Sequence, residues 1–272
     1  MNSQNRIRKF VHKGLWGVRR LFKPLEDPFL NVIDPGIAAR AEFQRQRETA
    51  DYQAVFDTTE PLVSILIATY NRGTLLRDRA LRSCLHQTYR NIEIIVVGDA
   101  CTDDTAKIMA EVFDPRVRFV NLKERGNYPD DPQLKWMVAG TAPVNQALSM
   151  ARGDFITHLD DDDEHPPERV EVLLRDLKTT RSDLVYHPFR YEMPNGTWRV
   201  NEARSFRFVS ATTSSIFYHR YFAGLGWDPR AYRYREPGDW NRLRKIRFMG
   251  ARIMRDPRIL LSHYRERNQR TA

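Results

Sequence analysis

Five consecutive acids, Asp160 to Glu164, stand directly behind the β-rich run from Phe155 to Leu159. Adjacent carboxylates repel one another, and folding them together without counter-charge is costly. A hard divalent cation removes that conflict, because Mg²⁺ or Mn²⁺ takes one or two protein carboxylates and completes its shell with phosphate oxygens. The bland alternative is an acidic turn that caps the helix opening at Pro166, where negative charge is favoured. Glu164 and Asp163 suit that lesser role. The cluster as a whole suits a metal–phosphate site.

Elements able to hold such a site begin at Pro61. Leu62–Thr69 and Ile92–Val97 are continuous apolar runs, as expected for strands buried on both faces. Helical spacing fills Gly73–Gln87 through Leu76, Ala80, Leu81, Cys84 and Leu85, and another helix covers Asp104–Phe113. Val117–Asn121 is a third strand. Residues 122–140, with Gly126, Pro129, Pro132 and Gly140, read as a long loop of the kind that carries function. A helix at Ala142–Ala151, a strand at Asp154–Leu159, a helix at Pro166–Thr180 and a strand at Leu184–His187 complete the series. This alternation predicts an α/β fold, a mainly parallel sheet with helices on both faces. Ligands of such sheets bind at the carboxyl ends of the strands, where the acids stand. Three segments follow: residues 1–60, a basic amphipathic helix and a partly helical connector; 61–190, the ordered core; and 191–272, a less regular α+β region with a basic end.

The stretch Gly153-Asp-Phe-Ile-Thr-His-Leu-Asp-Asp-Asp-Asp163 resembles the Asp-x-Asp region of family 2 glycosyltransferases, which have the GT-A fold. Three other stretches agree in the same order. Val63-Ser-Ile-Leu-Ile-Ala-Thr-Tyr-Asn-Arg72 is similar to the family's first strand and its nucleoside-contacting end. Gln87-Thr-Tyr-Arg-Asn-Ile-Glu-Ile-Ile-Val-Val-Gly-Asp99 is similar to the second, and Asn145-Gln-Ala-Leu matches the helix before the metal strand. The resemblance covers 61–180 well and is patchy beyond. It implies an inverting transferase using a nucleotide-diphosphate sugar, with uracil as the expected base and Mn²⁺ or Mg²⁺ as cofactor. Thr69, Tyr70 and Arg72 would line the nucleotide site, Asp99 would accept the uracil imide N–H, Asp160 would lie near the ribose with Asp161 between, and Asp162 would ligate the metal. The family pattern Asp-Asp-Gly-Ser is here Gly98-Asp99-Ala100-Cys101, so one acid is missing.

Inverting transfer also needs a carboxylate to take the acceptor hydroxyl's proton. The family carries it late in the chain at a helix start, where this sequence has Arg235-Glu236-Pro237-Gly238-Asp239-Trp240. Asp239 is the first choice and Glu236 the second; either could instead cap the helix or pair with the arginines around it. Lys135 or Arg125 would meet the diphosphate. His263 resembles a late histidine that completes the metal site. Thr212–Ser215, Trp227 and Trp240 are candidates for sugar or acceptor contact, whereas His158, His165 and His187 read as structural.

The net charge of +9 on 272 residues is divided unevenly: +7 over residues 1–25, −7 over 26–229 and +9 over 230–272. The first stretch has no acid and places Ile7, Phe10, Val11, Leu15, Val18, Leu21, Phe22 and Leu25 on one helical face, which suits an anionic membrane surface. No run is long enough to span a bilayer, and two cysteines give no disulfide framework. The expectation is a cytoplasmic enzyme peripheral on the membrane, taking a nucleotide-sugar donor and a saccharide or glycolipid acceptor. A nucleotidyltransferase would need a longer phosphate loop than Asn71-Arg72-Gly73. A nucleic-acid binder would have to explain the acidic centre and the lack of any recognised motif.

Overall fold

The structure, a computed structural model, describes residues 28–265. The amphipathic stretch at 6–25 lies outside the described residues. After a kinked helical turn at Val32–Gly36 come α1 (Ile37–Arg47) and α2 (Ala50–Asp57), then β1 (Val63–Thr69). A helical run over 73–85 is α3, followed by β2 (Ile92–Gly98), α4 (Thr105–Ala110) and β3 (Val117–Asn121). Next are α5 (Pro132–Val138), α6 (Thr141–Met150), β4 (Phe155–His158), α7 (Arg169–Thr180) and β5 (Leu184–Tyr186). The remainder holds β6 (Phe189–Glu192), β7 (Trp198–Asn201), β8 (Ile216–His219), α8 (Gly238–Met249), β9 (Ile253–Arg255) and β10 (Ser262–His263).

The expected α/β fold is present: a seven-stranded sheet in the order β3-β2-β1-β4-β8-β5-β9. β1 pairs in parallel with β2 and β4, and β2 with β3. β8 is antiparallel to both β4 and β5. The sheet is therefore mixed at its centre, and the late region supplies two of its strands, β8 and β9. β10, β6 and β7 form a second small sheet.

Every residue of β2 is buried, and β1 is buried at all positions but Ala68. Helices on both faces leave such strands no polar side, which is why their sequence runs apolar without alternation. The expected loop at 122–140 contains α5. Asp131 caps it by accepting the N–H groups of Gln133 and Leu134 at 2.9 Å each, and Pro132 occupies the first turn. The helix expected from Pro166 begins instead at Arg169.

The connector does more than connect. Phe43, Tyr52, Val55 and Phe56 are buried in the main core, and Tyr52 stacks on His219 of β8 at 3.8 Å between ring centroids. Asp183, wholly buried ahead of β5, accepts hydrogen bonds from the Tyr52 hydroxyl at 2.7 Å and the Arg252 amide at 2.6 Å. Arg47 approaches the same carboxylate at 2.9 Å. A buried carboxylate needs such partners, and two helices from outside the sheet supply two of them.

Candidate active site

The loops behind β1, β2 and β4 converge on one side of the sheet, and Asn71 ties two of them together. It follows β1 in the left-handed region at φ 53°, which asparagine tolerates. Its side-chain oxygen accepts the Thr102 N–H at 2.8 Å. Asp99 then sits at the end of β2, 3% exposed, with its amide bonded to the Thr69 carbonyl at 2.9 Å. Its carboxylate accepts from the Gly126 N–H at 2.9 Å and the Tyr128 hydroxyl at 2.8 Å. Tyr128 itself accepts the Gly140 N–H at 3.2 Å, so one hydroxyl joins the Asp99 pocket to the loop behind α5. Burial and the Asp99 charge raise the Tyr128 phenol, keeping it a protonated donor.

Gly98 has no room for the missing acid. A Cβ there would lie 2.5 Å from the side-chain oxygen of Asn121, its cross-strand partner. Asn121 is fixed from both ends, accepting the Cys101 N–H at 2.8 Å and donating to the Cys101 carbonyl at 2.9 Å. Ala100 takes φ 54° where the resemblance has glycine.

Tyr70 presents a ring covered by the Arg125 guanidinium, 3.5 Å from the centroid, and Arg125 also lies 3.7 Å from Asp99. This arginine, expected at the diphosphate, lies between Tyr70 and Asp99 instead. Lys135 is half-buried on α5 and makes no ion pair among the described residues.

The acidic run is a turn rather than a continuation of β4. The Asp163 N–H bonds to the Asp160 carbonyl at 3.1 Å, which brings residues i and i+3 together. Asp160, Asp163 and His263 each offer a ligand atom, all within 4.8 Å of one another. The ring nitrogen Nδ1 of His263 is 2.8 Å from the Asp163 carboxylate, which also accepts the Tyr264 N–H at 3.0 Å. The two corner residues face elsewhere. Asp161 accepts from the Thr69 hydroxyl at 2.7 Å, and Arg72 reaches both Asp161 and Asp162 at 3.0 Å. Asp162, expected beside His263 as a metal ligand, is thus on Arg72, and Asp163, expected as a helix cap, is beside His263. The Asp-x-Asp resemblance pairs the first acid with the third; the turn closed from Asp163 to Asp160 pairs first with fourth.

Burial and mutual repulsion raise the acids of this turn. Burial pushes the Asp161 carboxyl up to about 6, with Arg72 opposing and Asp162 adding to the rise. Burial and then repulsion from Asp163 and Asp162 raise Asp160 further. Burial alone would depress His263, but its hydrogen bond to Asp163 and the charges of the other acids raise it. Two carboxylates and an imidazole form a donor set that fits Mn²⁺ well and Mg²⁺ by its oxygens. His263 would surrender its Nδ1 proton to serve as a ligand.

Asp239 stands in the first turn of α8. Its carboxylate accepts the Trp240 N–H at 2.6 Å, remains partly open to solvent, and is pushed up to about 6 by burial. A helix N-terminus favours the anion, so desolvation outweighs the dipole here. Gly238 packs closely, since a Cβ there would meet the Trp227 ring at 3.1 Å. Trp227 in turn lies 6.0 Å from the His158 ring at the end of β4 and is gripped through its backbone by Asn145 at 2.7 and 2.9 Å. That chain of contacts puts the start of α8 on the β4 side of the sheet. Glu236 is wholly buried and bonded to Asn241 at 2.7 Å and Arg244 at 3.0 Å, which removes it as an accessible base.

The remaining candidates are structural. Ser214 accepts the Asp160 N–H at 2.9 Å, and Thr212 with Ser215 caps its own turn. Trp227 and Trp240 are 9% and 2% exposed, so protein covers the faces expected to stack on sugars. His158 bonds Tyr218 at 2.7 Å, His165 approaches the Ser214 carbonyl at 3.1 Å, and His187 accepts from Arg169 at 3.0 Å, all in the interior.

The model of the family described as glycosyl transferase family 2 matches residues 64–128 and 139–255. The chain belongs to that family. A chondroitin synthase of Escherichia coli is 36% identical over 120 residues, 43% of this chain and 16% of the relative. The Campylobacter jejuni GalNAc(5)-diNAcBac-PP-undecaprenol beta-1,3-glucosyltransferase is 35% identical over 107 residues, 38% of this chain and 30% of its own length. The matches thus span less than half of these relatives. Among solved structures, S. aureus TarS 1-349 with UDP-GlcNAc superposes with a TM-score of 0.59 at 16% identity, covering 76% of this chain and 59% of that one. The Pyrobaculum calidifontis mannosyltransferase PcManGT with GDP-Man and Mn²⁺ gives 0.55 at 17% identity over 90% of this chain and 67% of the other. These likenesses confirm the GT-A fold of the family 2 transferase.

Proposed function

We propose that this family 2 glycosyltransferase moves a sugar, with inversion, from a UDP-sugar to a hydroxyl of a lipid-linked or envelope saccharide at an anionic membrane surface. The observation that carries the reading is the convergence of Asp160, Asp163 and His263 on the same sheet end as the Asp99–Tyr70 pocket. Asp99 offers a carboxylate to an imide N–H, and Tyr70 offers a ring face once Arg125 yields it. A divalent ion held by Asp160, Asp163 and His263 would supply charge stabilisation for the leaving diphosphate. Asp239, its carboxyl poised near neutrality, accepts the acceptor's hydroxyl proton. The new bond forms between that oxygen and the anomeric carbon as the bond to the phosphate oxygen breaks on the opposite face.

Support for the surface comes from the start of the described chain. Phe29, Val32, Ile33 and Ile37 are 78%, 57%, 76% and 64% exposed, directly after the +7 stretch. No helix among the described residues is long and apolar enough to cross a membrane, so contact would be peripheral, on the cytoplasmic side. The lipid-linked acceptor draws on the printed name of the Campylobacter relative. Thermal shift with UDP, GDP and ADP, each with and without Mn²⁺, tests the donor half: a Mn²⁺-dependent rise with UDP alone is expected. A rise indifferent to Mn²⁺ would reject the metal assignment, and a preference for GDP would reject uracil.

A further inference from the structure

We infer that Asn31 and Asp34, in the N-terminal strap outside the family match, are positioning residues that hold the turn bearing Asp239. The link is Arg244 of α8, 1% exposed on its side chain. Its Nε donates to the Glu236 carboxylate at 3.0 and 3.1 Å. Its Nη1 donates to the Asn31 side chain at 2.6 Å and the Asp34 carbonyl at 2.7 Å, and Nη2 reaches the Asp34 carboxylate at 3.5 Å. Lys245 adds an ion pair to Asp34 at 2.9 Å. The family match begins only at residue 64, so the strap lies outside it, and its polar atoms meet the guanidinium that holds Glu236 in the loop leading into Asp239.

The physical consequence follows from burial. A guanidinium removed from water must have its donors satisfied, and loss of the strap partners leaves buried N–H groups unpaired while Glu236 still balances the charge. Without the strap, Arg244 keeps only Glu236 among these partners and must either draw it closer or let water in. Glu236 lies three residues before Asp239 and is itself pinned by Asn241. A shift of that carboxylate is passed along the two intervening residues, Pro237 and Gly238, to Asp239. Displacing a base by about 1 Å is enough to cost up to two orders of magnitude in rate.

The strap also offers its own control. Gln44 on α1 donates to the Met249 carbonyl at 2.7 Å, gripping the far end of the same helix α8. Asp34→Ala and Asn31→Ala are compared with Gln44→Ala in the full chain, by amide hydrogen exchange over 236–241 and by UDP release from UDP-GlcNAc with Mn²⁺. Expected for the first two are exchange about tenfold faster over 236–241 and a kcat about tenfold lower at unchanged KM. Gln44→Ala should show neither, and Asp34→Asn, which keeps an acceptor for Nη2, should recover part of the loss. Equal exchange and equal kcat in Asp34→Ala and Gln44→Ala would overturn the inference, as would a loss confined to KM. The kinetic arm rests on Asp239 as base: if Asp239→Asn retains full turnover, that reading fails, while exchange over 236–241 still judges the strap.

Discussion

The proposed donor side and the proposed base side of this molecule are built by different means. On the donor side, Thr69 ends β1, Asp99 follows β2 and the Asp160–Asp163 turn follows β4 by one residue, so three parallel neighbours deliver them to one place. On the base side, Asp239 depends on Trp227, Asn145, Glu236, Arg244 and a strap more than two hundred residues earlier in the chain. The first design tolerates change in the loops because the sheet sets the register. The second is only as accurate as its least secure packing contact.

Several measurements would break or sharpen that division. The largest effect is expected from Asp239→Asn: a loss of about 10²–10⁴ in kcat, with UDP binding intact. Weakened UDP binding in this variant would show that the two sides are not separable. With the Asp239 carboxyl at about 6, wild-type turnover should fall about tenfold per unit below that pH and level off above it. The stability sign is the reverse. An acid raised above its unfolded value binds its proton more tightly when folded, so stability is lost as pH climbs through the interval up to about 6. Asp239→Asn should therefore melt higher than wild type at pH 7.5 and no differently at pH 3.5.

Asp163→Asn should do the opposite of Asp239→Asn, abolishing the Mn²⁺-dependent part of UDP binding in calorimetry. Asp162→Asn should spare more of it, and equal losses would restore Asp162 to the ligand set. A smaller effect is expected at Tyr128→Phe, where Asp99 loses one donor and the loop behind α5 loses its tie. About 1 kcal/mol, or a several-fold change in UDP affinity, is the scale of one such hydrogen bond. Smallest is Ala100→Gly, which relieves a left-handed alanine at φ 54° and should stabilise by about 0.5–1 kcal/mol in chemical denaturation.

What the sequence made legible follows the same division. Buried strands announce themselves by continuous apolar runs, so β1, β2 and β4 and the residues at their ends were within reach. The side-chain roles at those ends were not. Asp162 and Asp163 exchange places because the acids sit in a turn, and a run of identical residues carries no phase. Arg125 covers Tyr70 through a contact fifty-five residues apart in sequence, which no local pattern encodes. Tyr128 bears no signal beyond being a tyrosine in a long loop. Glu236 and Asp239, three residues apart, look alike as helix-start acids, and only the position of Arg244 tells the buried one from the open one. A polar connector was legible as partly helical, but its grip on α8 was not.

The cross-strand pair Gly98 and Asn121 has a consequence for how this chain can change. Asn121 occupies the space a side chain at 98 would need, and its amide is committed to Cys101 on both sides. Neither position can move alone: an acid placed at 98 collides with Asn121, and a smaller residue at 121 strands the Cys101 backbone. The order of substitutions is therefore constrained, with 121 obliged to give way first and at a loss. An acid at 98 is therefore reached only by way of a costlier residue at 121.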